Sequence, residues 1–275
     1  MASDRTPLIG QCPARGVYAP AGPNDARGPC PLVNCLANHG YINRHGKDIH
    51  ADELNAAMNE VGLSAALGAV FAKPIFNEHQ DPKTAYLRKQ PGVFARLWNF
   101  FRNPWVILAV FGLRKRGQTD TTGKKVLNLD QLALPGVIEH DISLTRRDHD
   151  QSEGNCKPQP DLVAKLLEAS GDGGKTLTGQ DFAALRKRRI QQQLDDNPGL
   201  CYGSLQHQVA CTEIALILDV FGNGKSIPCS YARAIFQEER LPVAEGWKKR
   251  RWWTLGFYEL GNSVKWIKSL VGIKI

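Results

Sequence analysis

The sequence predicts a mostly α-helical protein with little β-structure, and three observations lead to this fold class. First, the 275 residues are 42% hydrophobic and 23% charged, the proportions of a folded globular chain. Second, hydrophobic residues recur with the period of a helix in several segments. Third, segments that alternate strictly between hydrophobic and polar residues, as half-buried strands do, are scarce. Together with a length that can bury a core, these observations predict one helical domain.

The predicted elements follow an irregular start. Residues 1–24, rich in proline and glycine, form a predicted N-terminal arm. A helical period runs over residues 48–76, where Asp48 is a suitable N-cap and Pro74 ends the pattern. Further helices are predicted at 161–169, at 179–195 after Thr178, at 204–221 and at 230–240 after Ser230. No run of about 18 hydrophobic residues occurs, so a membrane-spanning helix is not expected.

One domain is predicted over residues 25–250, followed by an aromatic and basic extension over 251–275. Within the domain, residues 81–125 are predicted to be a basic and hydrophobic insertion. Its hydrophobic part, 93–117, has two interpretations. It is either a core segment or pocket wall, or an interfacial element that contacts a membrane surface.

The chain is basic, with 35 Lys and Arg against 27 Asp and Glu and a net charge of +8. Such a surplus favours contact with nucleic acid, an anionic membrane or an acidic substrate, and does not distinguish among them. Basic residues interleaved with Trp near the C-terminus could stack on single-stranded nucleic acid. No known nucleic-acid-binding motif accompanies them, so we expect no nucleic-acid partner and leave peripheral membrane contact open.

Cysteine usage argues against two classes of protein. The seven cysteines are irregularly spaced and include no CxxC pair, so a zinc ribbon and a thioredoxin-type dithiol are not expected. Cys35 follows Cys30 by five residues without a matching second pair, and is expected to be a buried thiol rather than a zinc ligand. The N-terminal residues lack the hydrophobic core of a secretory signal, which predicts an intracellular protein, or a secreted one if a signal was removed.

A cysteine between two prolines, Pro29-Cys30-Pro31, is the first candidate for chemistry. Pro31 suits the first turn of a helix, which places Cys30 at the helix N-terminus. There the backbone N–H groups of Leu32 and Val33 can point at the sulfur and stabilise a thiolate. A thiolate held in this way is a suitable axial ligand for haem iron. Taken alone, the tripeptide is more typical of a turn with a structural thiol.

Three further motifs favour a haem ligand over a structural thiol at Cys30. Leu36-Ala-Asn-His-Gly40 follows the cysteine, Glu139-His-Asp-Ile-Ser143 lies mid-chain, and Glu239-Arg-Leu-Pro242 precedes Gly246-Trp247. In this order the motifs resemble those of the fungal haem-thiolate peroxidases, which include chloroperoxidase and the short unspecific peroxygenases. The resemblance covers roughly residues 25–247. It implies one helical haem-binding domain of the chloroperoxidase type, with residues 81–125 near the substrate entrance.

The resemblance implies two cofactors. Cys30 matches the axial ligand of haem b, and its neighbours Leu32 and Val33 belong to the same binding segment. Glu139, the backbone carbonyl of His140 and the hydroxyl of Ser143 match the ligands of one Mg²⁺, or Mn²⁺, at a haem propionate. Oxygen ligands of these kinds suit a hard divalent cation.

The resemblance also implies an acid–base group on the substrate side. Glu213 lies 73 residues after His140, within the predicted helix 204–221, and matches the catalytic glutamate. His140, oriented by Asp141, is expected to support it. The alternative for Glu213 is an exposed carboxylate on the wet face of an amphipathic helix. His39 is expected to make a structural hydrogen bond.

The predicted activity is that of an unspecific peroxygenase, an oxidoreductase that uses hydrogen peroxide to hydroxylate C–H bonds and epoxidise hydrophobic organic molecules, with side peroxidase activity. The alternatives are a halide-oxidising enzyme of the chloroperoxidase kind and a haem-binding, membrane-associated protein with a narrow biosynthetic role. A monomer or homodimer is expected.

Overall fold

The structure, a computed structural model, describes residues 13–80, 111–135, 137–152, 154–197, 200 and 202–273. It is mostly helical, as the sequence predicts. In chain order the α-helices are α1 (Pro31–Asn38), α2 (Ala51–Glu60), α3 (Ala65–Ile75), α4 (Pro160–Glu168), α5 (Gly179–Asp196), α6 (Ser204–Phe221), α7 (Cys229–Phe236) and α8 (Phe257–Val271). A 3₁₀ helix covers Leu129–Ala133. Residues 1–12 of the predicted arm and 81–110 of the predicted insertion lie outside the described residues.

Two short strands lie among the helices of the C-terminal half of the chain. Strands β1 (Thr176–Thr178) and β2 (Ser226–Pro228) pair antiparallel, with Leu177 opposite Ile227. Strand β1 lies between α4 and α5, and β2 lies between α6 and α7, so the pairing joins two helix–strand–helix units. Both central residues are fully buried, which fixes the relation of the two units to the core.

The single helix predicted over residues 48–76 is wrong, because the chain forms two helices there. His50, not Asp48, caps α2, and its backbone is extended, as is typical of an N-cap residue. Asp48 instead has a positive φ of 51°. The break between α2 and α3 contains Gly62 at φ 101°, a conformation that favours glycine. Ser64 then caps α3 by accepting a hydrogen bond from the N–H of Leu67. The hydrophobic period bridges the break because both helices bury one face in the same core.

The later helices follow the sequence prediction closely. Helix α6 covers the predicted residues 204–221, and Thr178 caps α5 through a capping box with Asp181. Helix α7 ends at Phe236, earlier than the predicted 240. Glu239 has a φ of 50°, which an α-helix cannot accommodate. Ser230 lies inside α7 rather than at its cap.

The C-terminal segment contributes to the core. Helix α8, which the sequence analysis did not predict, packs against α5 and α6 through buried Leu260, Val264, Ile267 and Val271. In the described part of the chain, no helix is both long and hydrophobic enough to cross a membrane.

Candidate active site

Cys30 lies at the N-terminus of α1, where the sequence places it. It is the N-cap residue and Pro31 is the first helical residue. The backbone N–H groups of Val33 and Leu32 lower the pKa of the thiol, as predicted. Burial has the larger effect, however, and raises the pKa of Cys30 to about 11. The helix N-terminus therefore does not produce a thiolate by itself, and ionisation needs a positive centre at the sulfur.

A buried network joins the cysteine segment to two distant motifs. Asn34 on α1 pairs with the backbone of Gly28, at 2.8 and 3.0 Å, and its Nδ2 donates to Glu239 Oε1 at 2.8 Å. Arg146 Nη2 donates to the same Glu239 oxygen at 2.6 Å. The segment before Cys30, the mid-chain motif and the C-terminal motif thus meet at one carboxylate, although they are separated by up to 205 residues.

His39 makes the structural hydrogen bond that the sequence predicts. Its Nε2 accepts from the backbone N–H of Leu241 at 3.0 Å, and its Nδ1 lies 2.9 Å from the carbonyl oxygen of Gly16. The ring is buried. It therefore ties the end of α1 to the C-terminal motif and to the N-terminal arm.

The carboxylate of Glu239 is expected to be essential for stability. In Glu239→Ala, the guanidinium of Arg146, only 1% exposed, would lose its ion-pair partner, and unpaired buried charges typically cost about 3–5 kcal/mol. The measurement is the free energy of unfolding from denaturant titration. Glu238→Ala is the matched control, because Glu238 pairs with Arg240 at the surface and should cost about 1 kcal/mol or less. Equal losses in the two variants would contradict the network.

Glu213 and His140 lie next to each other, and both line one cavity with Cys30. Glu213 projects from α6, and its Oε2 lies 3.4 Å from His140 Nε2, an ion-pair distance without good hydrogen-bond geometry. The Glu213 side chain is 59% exposed because water reaches it through the cavity, although the surrounding protein still desolvates it. That desolvation pushes its pKa upward, but the charges of His140 and Arg186 outweigh it and lower the pKa of Glu213 below its usual value. Burial opposes protonation of His140, but Glu213 raises its pKa.

The main chain of Asp141 makes the contact that orients His140. His140 Nδ1 lies 2.8 Å from the carbonyl oxygen of Asp141, whereas the carboxylate of Asp141 accepts from the backbone N–H of His149 at 3.2 Å. The sequence analysis expects Asp141 to orient His140, and this contact to the ring is made by its backbone carbonyl. The next residue, Ile142, has a φ of 65° and donates its N–H to Asp148 at 2.8 Å, so side chains further along hold this turn.

One cavity lies between Cys30 and Glu213 and contains about 860 Å³ of empty space, its open mouth included. Its other lining residues include Pro29, Pro31, Leu32, Glu139, His140, Ser143, Arg146, Phe182, Arg186, Ile217, Phe221 and Phe236. Of the predicted site residues, Cys30, Leu32, Glu139, His140, Ser143 and Glu213 therefore line the same space. Val33 packs in the core, and only its backbone N–H acts toward the sulfur.

The cavity has features that fit a haem. It presents the sulfur of Cys30 and the carboxylates of Glu139 and Glu213 in one lining. Two buried guanidinium nitrogens, Nε of Arg146 and Nε of Arg186, have no hydrogen-bond partner, although both residues line the cavity. Both guanidinium groups are buried, so they place positive charge beside the cavity. The carboxylates of haem carry the opposite charge.

The predicted cation site contains one side-chain carboxylate. Burial raises the pKa of Glu139 to about 8, so this group is costly to ionise unless a positive charge accompanies it. No group of three or more His, Cys, Asp or Glu side chains arranged for a metal is found among the described residues. Glu139 and the hydroxyl-bearing Ser143 share the cavity wall, and Mg²⁺ binding there stays a prediction.

Sequence analysis missed Arg186. It is 1% exposed, donates to the carbonyl of Ile142 and to the hydroxyl of Tyr202 at 2.7 Å, and holds the turn that carries His140. The sequence interprets Arg186 and its neighbours only as a basic cluster. The signal was the helical spacing, because Arg186 lies four residues from Phe182 and four from Ile190, both on the buried face of α5.

Comparison with known proteins agrees with this geometry. Residues 16–252 match the family model described as "Peroxidase, family 2". The chain is 29% identical over 180 residues to the chloroperoxidase of Leptoxyphium fumago, a match that covers 64% of this chain and 39% of that protein. It is 26% identical over 232 residues to the aromatic peroxygenase of Coprinellus radians, covering 82% and 80%. It is also 26% identical over 241 residues to the aromatic peroxygenase of Cyclocybe aegerita, covering 82% and 56%. The chain thus spans less than two thirds of the length of two of these relatives.

Proposed function

Because the chain belongs to peroxidase family 2, we propose that it is a haem-thiolate peroxygenase, an oxidoreductase that uses hydrogen peroxide to oxygenate hydrophobic organic molecules. The observation that supports this most strongly is the arrangement of one cavity. Cys30 and the Glu213–His140 pair line the same space. Two of the aligned relatives carry the name aromatic peroxygenase, which is consistent with the same reaction class.

In this proposal, haem b supplies the capacity to accept an oxygen atom from peroxide and transfer it to a substrate. Cys30 holds the group from the N-terminus of α1, and the N–H groups of Leu32 and Val33 share the negative charge of its sulfur. The guanidinium groups of Arg146 and Arg186, which line the cavity, are proposed to offset the negative charge of its carboxylates. Glu139 and Ser143 are proposed to hold Mg²⁺ beside one of those carboxylates, which would offset the cost of ionising Glu139.

The chain's own residues provide the proton transfers. Glu213 is ionised at neutral pH because the positive charges around it lower its pKa. Its carboxylate accepts one proton from hydrogen peroxide and donates the proton to the second peroxide oxygen, so that water leaves. His140 Nε2, 3.4 Å from Glu213 Oε2, stabilises the carboxylate and limits its movement. The carbonyl of Asp141 holds the other ring nitrogen.

The walls of the cavity suit a hydrophobic substrate. Ile217 and Phe221 come from α6, and Phe236 comes from α7, and all three side chains line the space next to Glu213. Hydrophobic walls favour hydrophobic organic molecules over ionic ones and exclude water from the reacting groups.

Oxygen transfer can be tested with hydrogen peroxide that carries a heavy oxygen isotope. A peroxygenase is expected to place that isotope in the hydroxylated or epoxidised product of a simple aromatic or alkene, as mass spectrometry would show. A product labelled from water instead would contradict the proposal. Oxidation of chloride or bromide without oxygenation of any organic substrate would instead support the halide-oxidising alternative, which the name of one relative suggests.

A further inference from the structure

Much of the chain's basic charge lies near its C-terminus. Residues 243–275 contain seven Lys and Arg against two Glu, a net charge of +5 out of +8 for the whole chain. Lys248, Lys249 and Arg251 are exposed. Lys249 pairs with Glu60 at 3.3 Å, whereas no ion pair of Lys248 or Arg251 is found among the described residues. This segment therefore presents positive charge to its surroundings.

Large aromatic side chains are exposed in the same segment. Trp252 is 80% exposed, Trp253 65%, Phe257 53% and Tyr258 85%. We call these four residues the aromatic surface. They lie within seven consecutive residues, in the loop before α8 and in its first turn. In the rest of the described chain, the exposed large hydrophobic residues are Val17, Leu194, Leu205 and Val243, which are at least 11 residues apart in the sequence. A cluster of this kind marks an interaction site more often than a stability element.

The core does not need the aromatic surface. Helix α8 buries Leu260, Val264, Ile267 and Val271 against α5 and α6, and these residues define its inward face. The four aromatic residues are exposed rather than part of this packed face. Exposed aromatic rings cost free energy in water and add little to the packing of the core. A binding partner outside the chain would explain why these rings are exposed.

We propose that the aromatic surface and its adjacent basic residues dock this protein on a membrane that contains anionic lipids. Trp and Tyr are enriched at the membrane–water interface, where an aromatic ring can enter the headgroup layer and a polar atom can stay hydrated. Lys248 and Arg251 then contact anionic headgroups, and each basic residue near such a surface contributes about a fivefold gain in binding. The protein binds at the surface of the bilayer without crossing it.

Two other occupants fit the observations less well. A second copy of the chain in a symmetric dimer would bring two surfaces of charge +5 together, and like charges oppose that contact. Single-stranded nucleic acid would stack its bases on the aromatic rings. The guanidinium of Arg251 already lies over one face of the Trp252 ring, 5.2 Å from its centre, which leaves less of that ring for a base.

Co-sedimentation of the full chain with lipid vesicles tests the proposal. Binding is expected to vesicles of phosphatidylcholine with added phosphatidylserine, and little to phosphatidylcholine alone. High salt should release the protein, because the Debye length falls from about 10 Å at 0.1 M to about 3 Å at 1 M. Lys248→Gln with Arg251→Gln should lower the partition coefficient about thirtyfold. Trp252→Ser with Trp253→Ser should lower it at least about tenfold, since two rings leave the interface.

Matched variants on α5 provide the controls. Lys187→Gln with Arg188→Gln removes two exposed charges, and Leu194→Ser removes an exposed hydrophobic side chain, all outside residues 243–275. All variants should keep the melting temperature of the parent, which excludes loss of binding through unfolding. Equal loss of binding in the α5 variants, or no binding to anionic vesicles, would overturn the proposal. Binding to single-stranded DNA that only the Trp252/Trp253 variant loses would also overturn it. A dimer that only this variant loses would do the same. The proposal does not depend on the catalytic assignment.

Discussion

Replacing Cys30 with alanine is expected to abolish the red-shifted Soret band of the reduced protein under carbon monoxide. That band marks a haem with a thiolate ligand, and Cys30 is the only cysteine among the described residues that lines the cavity. The variant should also retain much less haem after purification, because alanine cannot bind the iron. Absorbance spectroscopy of the reconstituted variant and parent measures both effects.

Cys35→Ala is the matched control for this spectrum. Cys35 lies on the same helix, five residues along, and is fully buried, but it does not line the cavity. Its removal changes the packing of α1 without changing the groups near the cavity. The band should therefore persist in Cys35→Ala. A thiolate band that survives in Cys30→Ala would show that another residue binds the iron.

The helices could be predicted where local signals and burial agree. Helix α6 was bounded correctly because Gly203 and Gly222 bracket a continuous hydrophobic segment. Helix α8 was missed although Leu260, Val264, Ile267 and Val271 follow the helical period. Their pattern was obscured by the exposed Trp and Tyr beside them, which the sequence interprets as an extension. A hydrophobic period identifies a helix only when the residues that face the core can be distinguished from those that face solvent.

The site could be predicted only in part, because sequence order does not show which charges meet. Cys30, Glu139, His140 and Glu213 were named from their motifs, and the structure places all four at one cavity. Arg146 was not named, since its partner Glu239 is 93 residues away and the ion pair exists only in the folded chain.

The role of Asp141 shows a related limit of motifs. A motif specifies a residue but not which of its atoms makes the contact. The structure gives the contact with the His140 ring to the backbone carbonyl of Asp141, at 2.8 Å. Which group of Asp141 faces the His140 ring depends on the conformation of the local turn. Distant residues help to hold that turn, such as Arg186, which donates to the carbonyl of Ile142.

Replacing Glu213 with glutamine should reduce peroxide-dependent turnover by roughly 10²–10⁴-fold, the range for loss of a general acid–base group. Glutamine keeps the shape of the side chain and can still contact His140, but it cannot accept a proton at neutral pH. The haem spectrum and the carbon monoxide band should stay unchanged, because the substitution leaves Cys30 in place. Stopped-flow measurement of peroxide consumption in the haem-loaded protein reports the loss directly.

Asp219→Asn separates this effect from a general effect of neutralising an acid on α6. Asp219 is the other carboxylate of that helix, is 2% exposed, and accepts a hydrogen bond from Ser263 at 3.0 Å outside the cavity. Burial already raises its pKa to about 6, so the neutral side chain is well tolerated there. We expect its turnover to stay within a few-fold of the parent. Glu213→Gln with parental turnover, or equal losses in both variants, would move the acid–base role to another group, and His140 is the nearest candidate because its Nε2 lies 3.4 Å from Glu213.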